Sequence, residues 1–230
     1  MTVPACLVAP NLGGGIVSYT DIAFVSAASN NYLNTTGLVL DKPAGVSIGN
    51  ILIAAGQASN LNGNSGVLSA PAGWSVAVSG KVFYKIADGT EGASFDFGGG
   101  GGSGSAVKTG GIVCFSGAAD IQPLESASNS GTAAAITFSS VAVRDGGMTF
   151  LLMTSGAGGG GGNPGNYSMP AGWTLVWNAG SYSESTTGGN SGAGYKLHAA
   201  DGTTGNVDGA QSAGAGPNWL SYNVSFRPDA

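Results

Sequence analysis

Glycine interrupts nearly every stretch of this chain that is long enough to form a helix. Of the 230 residues, 43 are glycine, and together with serine, threonine and asparagine they keep apolar residues from recurring at helical spacing. Disorder is not the alternative, because hydrophobic residues make up 42% of the chain and the net charge is only -5. No Gly-X-Y period is present, which excludes a collagen triple helix. The chain is therefore expected to be all-β.

Short apolar segments bounded by turn residues recur along the chain, and each predicts a β-strand. The first set comprises residues 37–40, 51–55, 74–78, 82–86, 94–97 and 111–115. The second set comprises residues 135–138, 148–154, 173–177, 194–198 and 220–226. Many short strands separated by Gly, Pro and Asn predict a jelly-roll-like β-sandwich with long Gly-rich loops.

The two sets of predicted strands are similar enough to be copies of one another. The Pro-Ala-Gly-Trp motif at 71–74 recurs at 170–173, and a Tyr-Lys pair and a strand-final Phe recur after it. The repeated aromatic residues are predicted to anchor the core: Trp74, Trp173, Tyr84, Tyr195, Phe115 and Phe226. We expect residues 35–230 to form a single β-sandwich of two half-repeats, about 35–131 and 132–230.

These motifs also occur in a familiar order along the chain. They lie at residues 49–54, 71–74, 84–87, 111–117, 123–124 and 224–228. The series resembles a β-sandwich family found in bacteriophage virion proteins, including tail-fibre and minor tail proteins, and in bacterial surface proteins. The resemblance covers roughly residues 37–228. It implies that both half-repeats share one sandwich and that no catalytic residues carry over, because the family's members are mostly structural or adhesive.

Charge and hydropathy exclude two classes of partner. Seven dispersed basic residues against twelve acidic ones cannot form the basic patch that nucleic-acid binding requires. The longest apolar runs, 51–55 and 148–153, are far too short to span a bilayer. The N-terminus carries no signal-peptide pattern, so we expect synthesis in a cytoplasm. Cys6 and Cys114 are predicted to be free thiols.

The ionisable residues do not predict an enzyme, a metal site or a cofactor. His198 is the one histidine in the sequence, which excludes any site that needs two imidazoles. Four of the twelve acidic residues occur in Asp-Gly pairs, a combination that tight turns favour for backbone reasons alone. Two pairs, Asp88 with Glu91 and Asp201 with Asp208, offer oxygen ligands for calcium, but at lower density than an EF-hand loop. We therefore expect no catalytic residues, no metal and no cofactor.

Residues 1–34 differ from the remainder of the chain. They contain one charged side chain, Asp21, and apolar clusters at 5–8 and 22–25. Such a segment is expected to be buried, either as an extra strand of the sandwich or against another subunit. We expect it to anchor the chain to other virion proteins.

Two glycine runs, at residues 98–102 and 156–162, are not required by the repeat. They predict either flexible hairpin loops or packed polyglycine segments. Nearby loops rich in Gly, Asn and Tyr resemble antibody paratopes in their adaptable hydrogen bonding. The candidate receptor contacts in them are Asn60, Asn62, Asn64, Asn163, Asn166, Tyr167, Tyr182 and Asn190.

Together these features predict a non-enzymatic bacteriophage virion surface protein, assembled in the host cytoplasm. The favoured function is a tail-fibre or tail-tip adhesin module that contacts a host glycan or receptor. A capsid head-decoration, cement or head-fibre protein is the alternative, and a secreted bacterial carbohydrate-binding module is a second one. We expect a homo-oligomer, because low charge and large neutral surfaces suit packing against copies of the same chain.

Overall fold

A computed structural model describes residues 20–33, 37–60, 63–100, 107–120, 122–132, 134–156, 166–181, 189–211 and 218–229. Within these ranges the chain forms eighteen β-strands and no helix. All pairings between the strands are antiparallel. The predicted all-β sandwich is confirmed.

The first half of the chain supplies eight strands, which form two layers joined into one nearly closed sheet. They are β1 (Ala23–Leu33), β2 (Gly37–Asp41), β3 (Ile51–Asn60), β4 (Gly63–Leu68), β5 (Ser75–Val78), β6 (Val82–Ile86), β7 (Ser94–Gly100) and β8 (Val107–Ser116). The larger layer has the order β1-β8-β3-β6-β5, and the smaller has the order β2-β7-β4. The two layers are joined because β4 also pairs with the end of β3.

The second half supplies ten strands in the same arrangement. They are β9 (Glu125–Gly131), β10 (Ala135–Phe138), β11 (Ala142–Val143), β12 (Met148–Gly156), β13 (Tyr167–Ser168), β14 (Thr174–Ser181), β15 (Gly189–Leu197), β16 (Gly202–Thr203), β17 (Val207–Gln211) and β18 (Trp219–Phe226). A five-stranded sheet has the order β9-β18-β12-β15-β14, and a three-stranded sheet has the order β10-β17-β13. The boundary predicted between the half-repeats, at about residue 131, would place β9 in the first half. In the structure β9 pairs with β18 of the second half.

Three hydrophobic cores separate four layers of strands. Along β3, Ile51 and Ile53 point to one side and Leu52 and Ala54 to the other, as the two-residue period of a strand requires. One core lies inside each half, between its larger and smaller sheets. The third, which we call the middle core, lies between the two larger sheets and joins the halves. Each half therefore has a core of its own, and the two larger sheets pack face to face across the third core.

Each of the six aromatic residues predicted to anchor the core packs in one or another of these three cores. Phe115 and Phe226 are fully buried and Trp74 is nearly so, while Tyr84, Tyr195 and Trp173 are partly buried. The repeated tyrosines and phenylalanines contact each other across the two halves. The rings of Tyr195 and Phe115 pack edge-on with centroids 5.1 Å apart, and those of Tyr84 and Phe226 do so at 6.4 Å. The tyrosine of each half therefore contacts the phenylalanine of the other half.

The N-terminal segment contributes an extra strand, as one of the two alternatives anticipated. β1 pairs with β8 along its length. Ile22, which directly precedes β1, is buried. The expected burial of the whole apolar cluster at 22–25 is wrong for Ala23 and Phe24, which are both exposed, Phe24 at 43%. Residues 1–19 and Cys6 lie outside the described residues.

Cys114 is buried as a free thiol, and burial raises its pKa to about 11. None of the described residues belongs to a helix that could cross a membrane.

Candidate binding end of the sandwich

The strand register gives the molecule two distinct ends. The end of β3 lies beside the start of β8 in the first half, and the end of β12 lies beside the starts of β15 and β18 in the second. We call this the upper end. Gln57, near the end of β3, donates hydrogen bonds to the carbonyls of Ser155 and Asn190 at 2.7 and 2.9 Å, so the upper ends of both halves lie together.

Three of the eight candidate receptor contacts, Asn60, Asn64 and Asn166, belong to the upper end. Asn60 ends β3, Asn64 lies near the start of β4, and the exposed Asn166 directly precedes β13. Asn62, Asn163 and Tyr182 lie outside the described residues. The fold therefore brings Asn60 and Asn64 to the same end as Asn166, about a hundred residues further along the sequence.

Tyr167 is buried, and its assignment to an exposed contact loop is corrected. The side chain is 3% exposed, and its hydroxyl donates to Ser155 Oγ at 2.5 Å. Its ring occupies space left by Gly192, where an added Cβ would lie 2.6 Å from the tyrosine ring. Burial raises the pKa of the Tyr167 phenol above its usual range. The side chain thus stabilises the second half and is not available to a receptor.

Asn190 is also buried, at 2% exposure. The sequence placed it in an inserted loop, whereas it is the second residue of β15 and pairs with Ser155 of β12. The first glycine run differs in a similar way, because Gly98, Gly99 and Gly100 belong to β7 rather than to a loop. Residues 101–102 and 157–162 of the two runs lie outside the described residues.

The opposite, lower end carries the two ends of the described chain. Thr20 forms an isolated bridge with Asp229, and Ala118 forms one with Pro228. Beside them a cleft of about 1030 Å³ is lined by charged side chains and a few alanines. The charged residues are Asp120, Arg144, Asp145, Asp201, Arg227 and Asp229. In the part of the chain that the structure describes, no cluster of acidic, histidine or cysteine residues is arranged to hold a metal.

The first pair considered for calcium binding, Asp88 with Glu91, already has partners within the protein. Glu91 accepts hydrogen bonds from the backbone N–H groups of Asp88 and Gly89 at 2.8 and 3.0 Å. Lys85 Nζ lies 2.7 Å from Asp88 and 3.4 Å from Glu91. The hydrogen bond from Lys85 is the largest cause that lowers the pKa of Asp88. These carboxylates close a turn and neutralise a lysine.

His198 predicts a pH dependence of stability. It lies near the lower end, with Nε2 2.8 Å from Thr149 Oγ1, and burial, followed by the charge of Lys196, lowers its pKa. The folded protein then binds a proton less readily than the unfolded chain, so stability is lost as the pH falls through the ordinary histidine pKa of about 6.5. Urea unfolding should show a smaller free energy at pH 5 than at pH 7.

Because the sequence contains one histidine, replacing it removes all histidine titration and provides the control. His198→Gln should flatten the dependence between pH 5 and pH 7, because carboxylates titrate lower. Equal slopes for the parent protein and the variant would contradict this assignment.

Sequence reasoning did not identify the contact made by Gln57. The residue follows an apolar run and belongs to no motif. The one available signal of its burial was its position two residues beyond Ala55, on the same face of β3. Comparison with known proteins adds no assignment: no family model, no curated protein and no solved structure matches the chain.

Proposed function

We propose that the chain is a non-enzymatic surface protein of a bacteriophage virion, acting as a tail-fibre or tail-tip adhesin module. Its upper end is the proposed contact for a host glycan or another receptor. Its lower end, where residue 20 joins the sandwich, is the proposed attachment to other virion proteins through residues 1–34.

The observation that carries this proposal is that the proposed binding end and the end with residue 20 lie at opposite ends of the long strands. The ten-residue β3 spans roughly 30 Å at the usual rise per residue, and this length separates the upper end from the Thr20–Asp229 bridge. A chain attached at one end and binding at the other needs such a separation. Asparagine supplies neutral, adaptable hydrogen-bonding groups that suit sugars, and the upper end carries it at positions 60, 64 and 166.

Binding is tested with the isolated protein on a glycan array and on host cells. The triple variant Asn60→Ala, Asn64→Ala, Asn166→Ala should bind at least tenfold more weakly, with an unchanged melting temperature. Asp120→Ala, in the lower cleft, is the matched control and should bind as the parent does. Absence of binding by the parent protein on both surfaces, or equal binding by the triple variant, would exclude the upper end as the contact.

Attachment is tested by removing residues 2–19. A longer deletion that reaches Asn30 would remove most of β1, which pairs with β8, and would damage the sandwich itself. Loss of incorporation into particles by a folded chain lacking residues 2–19 supports anchoring, and normal incorporation contradicts it.

A capsid-decoration protein is the second candidate. It is favoured by the exposed apolar side chains Ile48 and Leu197, which are 76% and 45% exposed near the lower end and suit packing against a capsid or a second copy. Labelling the chain on intact particles separates the candidates, because an adhesin lies on the tail and a decoration protein covers the head.

A further inference from the structure

Four buried polar side chains face one another between the two halves. Gln57 of β3 pairs with Thr109 of β8, and Thr154 of β12 pairs with Ser191 of β15. All four are 0% exposed. We call these residues the central polar cluster.

The two-residue period of the strands places the four side chains in the same interface. Thr109 lies on the same face of β8 as Val113 and Phe115 of the middle core, and Thr154 lies on the same face of β12 as Phe150 and Leu152. Ser191 likewise lies two residues before Ala193. Gln57 crosses the interface, because its amide binds two carbonyls of the other half. The central polar cluster therefore continues the middle core toward the upper end.

Each member of the cluster has a polar atom without a hydrogen-bond partner in the described part of the chain. These atoms are Gln57 Oε1, Thr109 Oγ1, Thr154 Oγ1 and Ser191 Oγ. The orientation of Gln57 is fixed, because its Nε2 must face the two carbonyls, so Oε1 is left as an acceptor. Buried polar groups in proteins are almost always hydrogen-bonded, and four exceptions at one place are a strong indication of an occupant.

We propose that the central polar cluster is a binding site for one or two ordered water molecules, which hydrogen-bond the two halves together. A buried water typically makes about three hydrogen bonds, so two molecules satisfy all four atoms. The cluster is uncharged, which disfavours an anion or a divalent cation as occupant. Hydroxyls donate and accept, and the fixed Gln57 oxygen accepts, which matches the bonding of water. The site fixes how the two halves align and is independent of any receptor.

Near-isosteric substitutions test this by the direction of their effect. In a hydrated site, Thr154→Val and Thr109→Val each remove a partner of a bound water and lower Tm by about 2–4 °C, as expected for one lost hydrogen bond in a protein of this size. In a dry site the same changes remove an unpartnered hydroxyl and leave Tm unchanged or raised. Thr149→Val, whose hydroxyl already contacts His198, calibrates the loss of a known hydrogen bond. An unchanged or raised Tm for both cluster variants would overturn the proposal.

A crystal structure of the full chain gives the direct readout. We expect electron density for water within hydrogen-bond distance of Gln57 Oε1 and Thr154 Oγ1, and its loss in Thr154→Val. Magnetic relaxation dispersion of water should count fewer long-lived internal waters in the same variant. Empty density, or density for an ion or an organic molecule, would overturn water as the occupant.

Discussion

Phe115→Ala is expected to destabilise the protein by about 3–5 kcal/mol, the usual cost of removing a fully buried phenylalanine. Phe115 is 0% exposed in the middle core, where its ring meets that of Tyr195 from the other half at 5.1 Å. Removing the ring leaves a cavity at the contact between halves that strands cannot close without shifting register. Urea unfolding monitored by tryptophan fluorescence measures the loss.

Phe24 provides the matched control for this substitution. It also contacts Tyr195, in a stacked arrangement at 5.5 Å, but it is 43% exposed on the edge strand. Phe24→Ala should therefore cost clearly less, about 1 kcal/mol, which is near the centre of the range measured for point substitutions. A loss below about 1 kcal/mol for Phe115→Ala, or equal losses at the two sites, would show that the halves do not depend on this contact.

Gly192→Val is expected to destabilise the second half by about 2–3 kcal/mol through overpacking. The three atoms nearest to an added Cβ all belong to the Tyr167 side chain, at 2.6 to 3.0 Å. Tyr167 is itself enclosed and hydrogen-bonded to Ser155, so it cannot swing outward without losing that bond. Thermal and urea unfolding measure the effect.

Two further variants identify the cause. Gly98→Val, on β7, places its Cβ 3.9 Å from the nearest atom and should change stability by less than about 0.5 kcal/mol. Combining Gly192→Val with Tyr167→Leu should cost at least about 1 kcal/mol less than the sum of the single losses, because the second change removes the obstacle. Strict additivity would mean that Tyr167 does not occupy this space.

Strands with a strong local pattern were predicted closely. β6 and β10 have the predicted bounds, since each is a short apolar run closed by turn residues. β9, with the sequence Glu-Ser-Ala-Ser-Asn-Ser-Gly, was missed because it carries almost no apolar side chains. It is held at the sheet edge by backbone hydrogen bonds to β18, and such bonds leave no trace in side-chain hydropathy.

Composition selected several residues that lie at the upper end, but the fold decides which of them are buried. Asn60, Asn64 and Asn166 could be selected by composition, since loops that join strands favour asparagine and glycine. The burial of Tyr167 depends on Gly192, which is distant in sequence and adjacent only after β13 and β15 have found their places. No local pattern contains that information. The reciprocal contacts between repeated aromatic residues likewise require two copies packed face to face.

The pairing of the first strand of each half with its last strand has a consequence for folding kinetics. β1 must wait for β8, and β9 for β18, across about 75 to 100 residues of chain. Proteins dominated by such distant contacts fold slowly, because the entropy of closing a long loop is lost before the contacts form. During synthesis β1 stays unpaired until β8 has been made, and a half of this protein cannot be completed before all of its strands have left the ribosome.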